Sequence, residues 1–231
     1  MHDIAAQEPA MLLQSEDGRR LLQRKATYWL RTYGRRYAHQ GFSKGFAAWA
    51  ASDEPASMHR ATNGCLMRQS PIAEEGLRCG YTEQTIQELA LLFAAITHNH
   101  PDALKSVRSH MFLLTRVLQK TMSHTEFQVW VENDPHVEIC TAKEWAVRNA
   151  KKFIWDAPTS LSIACSNVYY AHSFETCVQQ SIACHGDTDT YAAIAGPIAQ
   201  SLWGITPAMM GLSKKYVKSC PDILRLYPAL Q

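Results

Sequence analysis

The chain has 231 residues, of which 46% are hydrophobic and 19% are charged. This balance suits one sizeable core, and we expect residues 1–231 to form a single domain. The net charge of +2 gives no reason to expect nucleic acid or an anionic membrane as a partner.

The cysteines and the N-terminal residues argue against several further classes of protein. There are seven cysteines, an odd number, and no two are spaced as CxxC, which argues against a disulfide framework and a structural zinc site. No basic region followed by a long apolar run opens the chain, and no apolar stretch is long enough to span a bilayer. We therefore expect a cytoplasmic protein, in a bacterial or host cytosol, without a membrane partner.

Helical periodicity dominates the chain. Residues 82–97 open on Thr82 and repeat apolar residues at helical spacing, and a second amphipathic helix is predicted from Pro101. Alternation of period two is scarce, so we predict an all-α fold, with the least helical stretch at residues 34–81. Further helix starts are predicted at Thr141 (with Glu144 as a capping box), Pro158, Ser173, Asp189 and Pro207, the last pattern being broken at Pro221 and Pro228.

The segment from Gly186 to Thr190 is the sharpest candidate site. It reads Gly-Asp-Thr-Asp-Thr and precedes a run of mostly small residues at 192–196. Carboxylate and hydroxyl oxygens are hard ligands, which suit Mg²⁺ or Mn²⁺ better than zinc. The alternative interpretation is that Asp and Thr side chains simply cap a helix here. The pentapeptide alone leaves both open.

Three segments ahead of it also combine turn signals with polar or cationic side chains. Residues 63–68 open with the turn pair Asn-Gly, and residues 97–101 place two histidines at a helix start. Residues 41–46 carry glycines close to cations, which would let backbone amides approach a phosphate. Each has an ordinary alternative: a loop before a helix, histidines that cap and pack, and a basic aromatic surface turn.

The order of the four segments resembles the ADP-ribosylglycohydrolase family. In that family a Gly-Tyr-Gly loop with a nearby Trp precedes Gly-Asn-Gly-x-x-Met-Arg and a Pro, then Thr-His-x-His-Pro, and finally Gly-Gly-Asp-x-Asp-Thr. The resemblance runs from about Tyr28 to Trp203 and is greatest to the compact bacterial members. The corresponding parts of this chain are 41–46 with Trp49, 63–68 with Pro71, 97–101 and 186–190.

The resemblance implies a compact orthogonal helical bundle with a dinuclear Mg²⁺ or Mn²⁺ centre. Family members cleave an N- or O-glycosidic bond between ADP-ribose and a protein side chain, commonly arginine or serine, or an ADP-ribose derivative, by metal-assisted hydrolysis. ADP-ribose or an ADP-ribosylated protein is therefore the expected partner. The matching positions are Asp187 and Asp189 for catalysis; Asp187, Asp189 and Thr190 for the metal; Gly41, Ser43 and Gly45 for the pyrophosphate; Asn63 and Gly64 for the ribose; and His98 for the cleft edge.

Departures from the family affect the metal centre most. The family's Gly-Asp-x-x-Gly and Thr-Asp-Asp-Thr motifs, the second of which supplies the other half of the centre, have no counterpart, so we expect an N-terminally shortened member. Asp187 and Asp189 leave two cations under-coordinated, and we expect one weakly held ion or none. The acids that could in principle fill in are Asp3, which a stretched alignment places over the missing motif, Asp53, Asp102 and Asp156.

Smaller departures replace glycines of the family. Thr62, His185 and Ser43 stand where the family has glycine. A backbone built for glycine resists a Cβ where φ is positive, so we expect these changes to reshape the cleft.

Three functions stay open. The first is recognition of ADP-ribose or an ADP-ribosylated target with hydrolase activity weakened or lost, because half of the metal site is missing. The second is an active hydrolase that rebuilds the metal site from other residues or a partner chain. The third is a structural or interaction module without a ligand. Absence of the family's first helices would expose the apolar face they cover, which predicts a homodimer or a protein partner at that N-terminal face.

Overall fold

A computed structural model describes residues 9–217, and they form an all-α structure, as predicted. Extended pairing within this range is a single antiparallel bridge between Thr62 and Asp156. We number the helices in chain order: α1 (Pro9–Leu12), α2 (Glu16–Arg36), α3 (Lys44–Ala51), α4 (Ser70–Arg78), α5 (Glu83–Ala95), α6 (Pro101–Leu118), α7 (His124–Asn133), α8 (Ala142–Lys151), α9 (Ala157–Tyr169), α10 (Phe174–Ala183), α11 (Thr188–Trp203) and α12 (Pro207–Val217), with a 3₁₀ turn at Asn63–Cys65.

Polar side chains set the start of several helices. The Thr82 hydroxyl accepts the Thr85 N–H at the start of α5. Thr141 and Glu144 form the predicted capping box of α8, in which Glu144 Oε2 accepts the Thr141 N–H at 2.7 Å. Each cap satisfies amides that have no partner in the first helical turn, so the predicted starts agree with the observed ones.

The core is built around α6, α9 and α11. Helix α9 buries ten of its 13 residues, and α11 packs against α6, α9 and α10. A helix buried on nearly all sides belongs to the interior, which explains why α9 carries small and apolar residues all round. A second, smaller apolar cluster includes Trp145 and Tyr191, whose hydroxyl lies 2.8 Å from the Ile154 carbonyl oxygen. Helix α11 contributes to both clusters, with Ile194 in the first and Tyr191 in the second.

The cysteines behave as small apolar residues. Six are free in the described range, and five of these are buried. Burial raises the pKa of Cys65 to about 12 and that of Cys184 to about 11, so both stay protonated thiols. Cys220 lies outside the described residues.

The stretch predicted to be least helical contains more helix than its composition suggests. Helices α3 and α4 and the 3₁₀ turn fall within residues 34–81, separated by an irregular segment at 52–61. These helices are short, so a pattern of three or four turns could not develop. The predicted helix breaks at Pro221 and Pro228 lie beyond the described residues. Between residues 9 and 217, no helix has both the length and the apolar character needed to cross a bilayer.

Candidate functional site

A hydrogen bond joins two of the predicted segments, 124 residues apart. Asn63 Nδ2 donates to Asp187 Oδ2 at 2.8 Å and to Ser160 Oγ at 3.1 Å. The Asn63 backbone N–H donates to the Trp155 carbonyl at 2.9 Å. Both side-chain N–H groups and the backbone N–H of this buried residue are therefore used, which fixes the Asn63 amide against the start of α11.

Asp187 precedes α11 but does not cap it with its side chain. No capping hydrogen bond forms; instead Asp187 Oδ1 accepts the hydroxyl of Thr190 at 3.0 Å, and Oδ2 accepts the Asn63 amide. Thr190 is buried and its Oγ1 also lies 3.5 Å from Met67 Sδ. Plain capping therefore does not describe Asp187, whose carboxylate is oriented by side chains on two separate segments.

The electrostatics at the start of α11 favour a positive ligand. Burial raises the pKa of Asp187, the hydrogen bonds from Asn63 and Thr190 oppose that rise, and the neighbouring Asp189 carboxyl adds to it. Asp189 itself is exposed. Two acids close together at one helix start repel each other, and a cation between them would remove that cost.

The oxygen ligands here suit one divalent cation better than two. Asp187, Asp189 and Thr190 offer carboxylate and hydroxyl oxygens, the ligands that Mg²⁺ and Mn²⁺ prefer. Across residues 9–217, no group of three or more His, Cys, Asp or Glu side chains is placed to hold a metal ion. The remaining candidate acids have other surroundings. Asp156 caps α9 by accepting the Thr159 N–H, and Asp102 lies 3.7 Å from His100. Asp53 is exposed, and Asp3 is outside the described residues.

His98 is buried beside this cluster with both ring nitrogens engaged. Arg68 Nη2 donates to Thr97 Oγ1 at 2.6 Å, and the same Thr97 oxygen lies 2.8 Å from His98 Nδ1. His98 Nε2 lies 2.8 Å from Thr62 Oγ1, and a neutral ring donates through one of its two nitrogens and accepts through the other. Burial, with smaller effects from the charges of Arg68 and Arg60, lowers the pKa of His98 to about 3. His98 is therefore a neutral imidazole whose orientation two threonine hydroxyls fix.

Arg68 explains why an arginine ends the Asn-Gly segment. Besides Thr97, its Nη2 lies 3.3 Å from the Phe93 carbonyl and 3.4 Å from the Ala94 carbonyl, at the end of α5. The last carbonyls of a helix lack partners within it, and a guanidinium is well suited to them. Arg68 thus fixes the His98 loop to the segment that carries Asn63. The sequence offered no signal for this contact.

Two residues that replace family glycines, Thr62 and His185, differ in backbone conformation. Thr62 has φ of −84°, which any residue adopts, and its hydroxyl makes the bond to His98. His185 does adopt φ of +54°, followed by Gly186 at +72°. The expected strain therefore falls on His185, whereas Thr62 adds a hydrogen bond. Gly64 stands beside the His98 ring, since a Cβ there would lie 3.5 Å from Cε1 and Nε2.

The predicted pyrophosphate segment lies at the start of α3. Ser43 Oγ caps that helix by accepting the Phe46 N–H at 3.2 Å, and Gly41 is exposed in the turn before it. Gly45 packs against the guanidinium of Arg60. Within residues 9–217, no hydrogen bond is found between these three residues and Asp187. Arg60 contacts Gly45, and its charge acts on His98. Sequence reasoning gave no role in the site to Arg60 or Ser160, and it noted Thr62 only as a replaced glycine and Arg68 only as the end of the Asn-Gly segment.

A cavity of about 390 Å³ lies elsewhere, between α1, α2 and the start of α5. Its lining includes Leu13 and the ion pair of Arg19 with Glu88. None of the predicted site residues lines it. The candidate site is thus defined by its polar contacts and not by this cavity.

The fold and the site define an all-helical protein whose polar site lies where distant segments meet: the Asn63 turn, the His98 loop and the start of α11. The model of the family described as ADP-ribosylglycohydrolase matches residues 7–225. The chain belongs to the ADP-ribosylglycohydrolase family.

Comparison of structures gives the same fold. A solved structure described as an "ADP-ribosylglycohydrolase-related protein complex" superposes with a TM-score of 0.58 at 22% identity, covering 82% of this chain and 68% of that one. A search of curated protein sequences gave no match. The family match extends beyond Tyr28 and Trp203 on both sides, so the resemblance seen in the four segments covers nearly the whole chain.

Proposed function

We propose that this protein recognises ADP-ribose or an ADP-ribosylated protein through the residues around Asn63, His98 and Asp187, and that its own hydrolytic activity is weak or lost. The observation that carries the proposal is the 2.8 Å hydrogen bond from Asn63 to Asp187, which joins two segments that resemble ribose-side and metal-side motifs of the family. His98 stands beside them as a neutral imidazole of fixed orientation.

Recognition is favoured because the polar groups are already oriented. Asn63 is fixed by Ser160, Asp187 and the Trp155 carbonyl, and His98 by two threonine hydroxyls. Groups held in place before binding lose little conformational freedom when a ligand arrives. A ribose hydroxyl at this cluster would meet an acid, amides and an imidazole whose positions do not depend on the ligand.

Weak hydrolysis follows from the small number of anionic ligands. Asp187, Asp189 and Thr190 would hold one Mg²⁺ or Mn²⁺ ion, which in a complete centre polarises substrate oxygens and lowers the pKa of a bound water. Two close cations need several carboxylates, and within residues 9–217 no third acid joins Asp187 and Asp189. The chain's own contribution is then binding and orientation.

The activity part is tested by release of ADP-ribose from ADP-ribosylated arginine and serine substrates with Mg²⁺ or Mn²⁺. Asp189→Ala is the informative variant because Asp189 is exposed and its loss leaves the fold intact. Asp17→Ala, which removes an exposed acid from α2, is the matched control. We expect no metal-dependent turnover by any of the three. Turnover by the wild type and the control that Asp189→Ala abolishes would instead establish an active hydrolase with a rebuilt metal centre.

A further inference from the structure

Arg60 contacts one part of the candidate site, the start of α3, and its charge acts on His98 in the other part. It precedes Asn63 by three residues, and its side chain is exposed. Its guanidinium packs directly over Gly45: a Cβ at that position would lie 2.1 Å from Nη1 and 2.6 Å from Cζ. Any other residue at 45 would push the guanidinium away, so glycine is what allows Arg60 to approach the start of α3.

The segment that carries Arg60 is held in place by the loop before α6. The Asn99 N–H donates to the Met58 carbonyl at 2.9 Å, and the His59 Nδ1 donates to the Asn99 carbonyl at 2.6 Å. The Ser57 hydroxyl donates to the Ala95 carbonyl. On the other side of Arg60, the Ala157 N–H donates to the Ala61 carbonyl at 2.7 Å. The Arg60 side chain therefore extends toward Gly45 from a backbone that is held on both sides.

Two cations, Arg60 and Lys44, lie at the start of α3. The first turn of α3 contains no acid and begins with Lys44, although the amides there favour negative charge. Among residues 9–217 no carboxylate lies within ion-pair distance of the Arg60 guanidinium. The same charge acts on His98, whose pKa it helps to lower. An anion placed beside Arg60 would relieve this imbalance.

We propose that Arg60 binds the diphosphate of ADP-ribose and makes the site selective for diphosphate-bearing ligands over nucleosides; this rests on the proposed function. A guanidinium presents paired N–H donors that match phosphate oxygens. Arg60, Thr62 and Asn63 lie on one short stretch, so the same backbone segment holds the diphosphate and the ribose side of the ligand. Arg60 is therefore a specificity-determining residue that neither the Asn-Gly segment nor the Gly41–Gly45 segment includes.

Titration calorimetry on the full chain tests this assignment. ADP-ribose, adenosine and inorganic pyrophosphate are titrated into the wild type, Arg60→Gln and the control Arg108→Gln, which changes an exposed arginine of α6. Because Arg60→Gln removes a charged hydrogen-bond donor, we expect it to weaken the affinity for ADP-ribose by about tenfold or more. Adenosine affinity stays unchanged, and Arg108→Gln matches the wild type. Gly45→Ala lies in a helix that tolerates alanine, and its Cβ displaces the Arg60 guanidinium. This variant should also weaken the affinity for ADP-ribose.

The outcomes separate this inference from the proposed function. Equal ADP-ribose affinity in the wild type and Arg60→Gln would overturn the role of Arg60 and leave the proposed function in place. Pyrophosphate binding that depends on Arg60, without any binding of ADP-ribose, would support the anion site and contradict the proposed function. A wild type that binds neither compound would overturn both.

Discussion

At the scale of single residues, Gly186 of the candidate site is restricted both by its backbone conformation and by its neighbours. Its φ is +72°, and a Cβ would lie 2.4 Å from Asn149 Oδ1. Asn149 cannot move aside easily, because its Nδ2 donates to the Cys184 carbonyl at 3.0 Å and its Oδ1 accepts the Ile154 N–H at 3.3 Å. The glycine of the Gly-Asp-Thr-Asp-Thr segment is thus required by space as well as by φ.

Gly186→Ala should therefore lower the free energy of unfolding by more than the unfavourable φ of an alanine would by itself. We expect a loss of about 2–4 kcal/mol, from the left-handed backbone and the contact with Asn149 together. Gly80→Ala is the control, since Gly80 has φ of +74° but open space around it, and it should lose only about 1–2 kcal/mol. Urea denaturation measures both; equal losses would contradict the role of Asn149.

His98 predicts how stability depends on pH. Its pKa falls to about 3 in the folded protein, against about 6.5 in an unfolded chain. The unfolded state then binds more protons between these values, so the free energy of unfolding falls as pH falls through this range. Between pH 6.5 and pH 4 we expect His98 to contribute a loss of about 3 kcal/mol.

The check is the pH dependence of denaturant unfolding for His98→Gln, whose slope over this range should be smaller than that of the wild type. His110, with its pKa lowered by burial to about 4, contributes equally to both proteins. His172→Gln, which changes an exposed histidine, should keep the wild-type slope. An unchanged slope in His98→Gln would show that the ring titrates normally.

The sequence predicts which residues belong to the candidate site better than it predicts the contacts between them. The order of four segments was enough to select Asn63, His98 and Asp187, but not the contact between Asn63 and Asp187. That contact depends on how α9 and α11 pack, since Ser160 of α9 completes it. Arg60 had no motif to mark it, because its role follows from an approach to Gly45 that only the folded chain creates.

At the scale of helices, local signals predicted most boundaries. Capping at Thr82, Thr141 and Ser173 is decided within four residues, so the starts of α5, α8 and α10 could be predicted from the sequence. Helices α3 and α4 were hidden in a stretch rich in Gly, Pro and Ser. Their formation depends on packing that the sequence does not show, with α3 against α2 and α4 against α5 and α6.

Two helical glycines should respond in opposite directions to alanine. In α4, a Cβ at Gly76 would lie 2.6 Å from Cγ1 of the fully buried Ile86, so Gly76→Ala should cost about 1–3 kcal/mol. In α11, the nearest atom to a Cβ at Gly196 is in Phe174 at 3.9 Å, so Gly196→Ala should gain about 0.5–1 kcal/mol of helix stability. Urea denaturation of both variants is the measurement. A loss in Gly196→Ala would mean that α10 and α11 pack more closely than described.

At the scale of the whole molecule, the all-α fold and family membership are established, whereas other expectations stay predictions. These include the single domain over residues 1–231, the N-terminal shortening, the homodimer or protein partner at the N-terminal face, and the cytoplasmic location. What the fold does is bring the Asn63 turn, the His98 loop and the start of α11 together around one polar cluster.

The most direct measurement of the central claim is calorimetric titration of ADP-ribose into the wild type and Asn63→Ala, with melting temperatures confirming that both are folded. We expect binding to one site in the wild type and a loss of affinity of about tenfold or more in the variant, since Asn63 touches both Asp187 and Ser160. No binding by the wild type, or equal affinity in a folded Asn63→Ala protein, would contradict it.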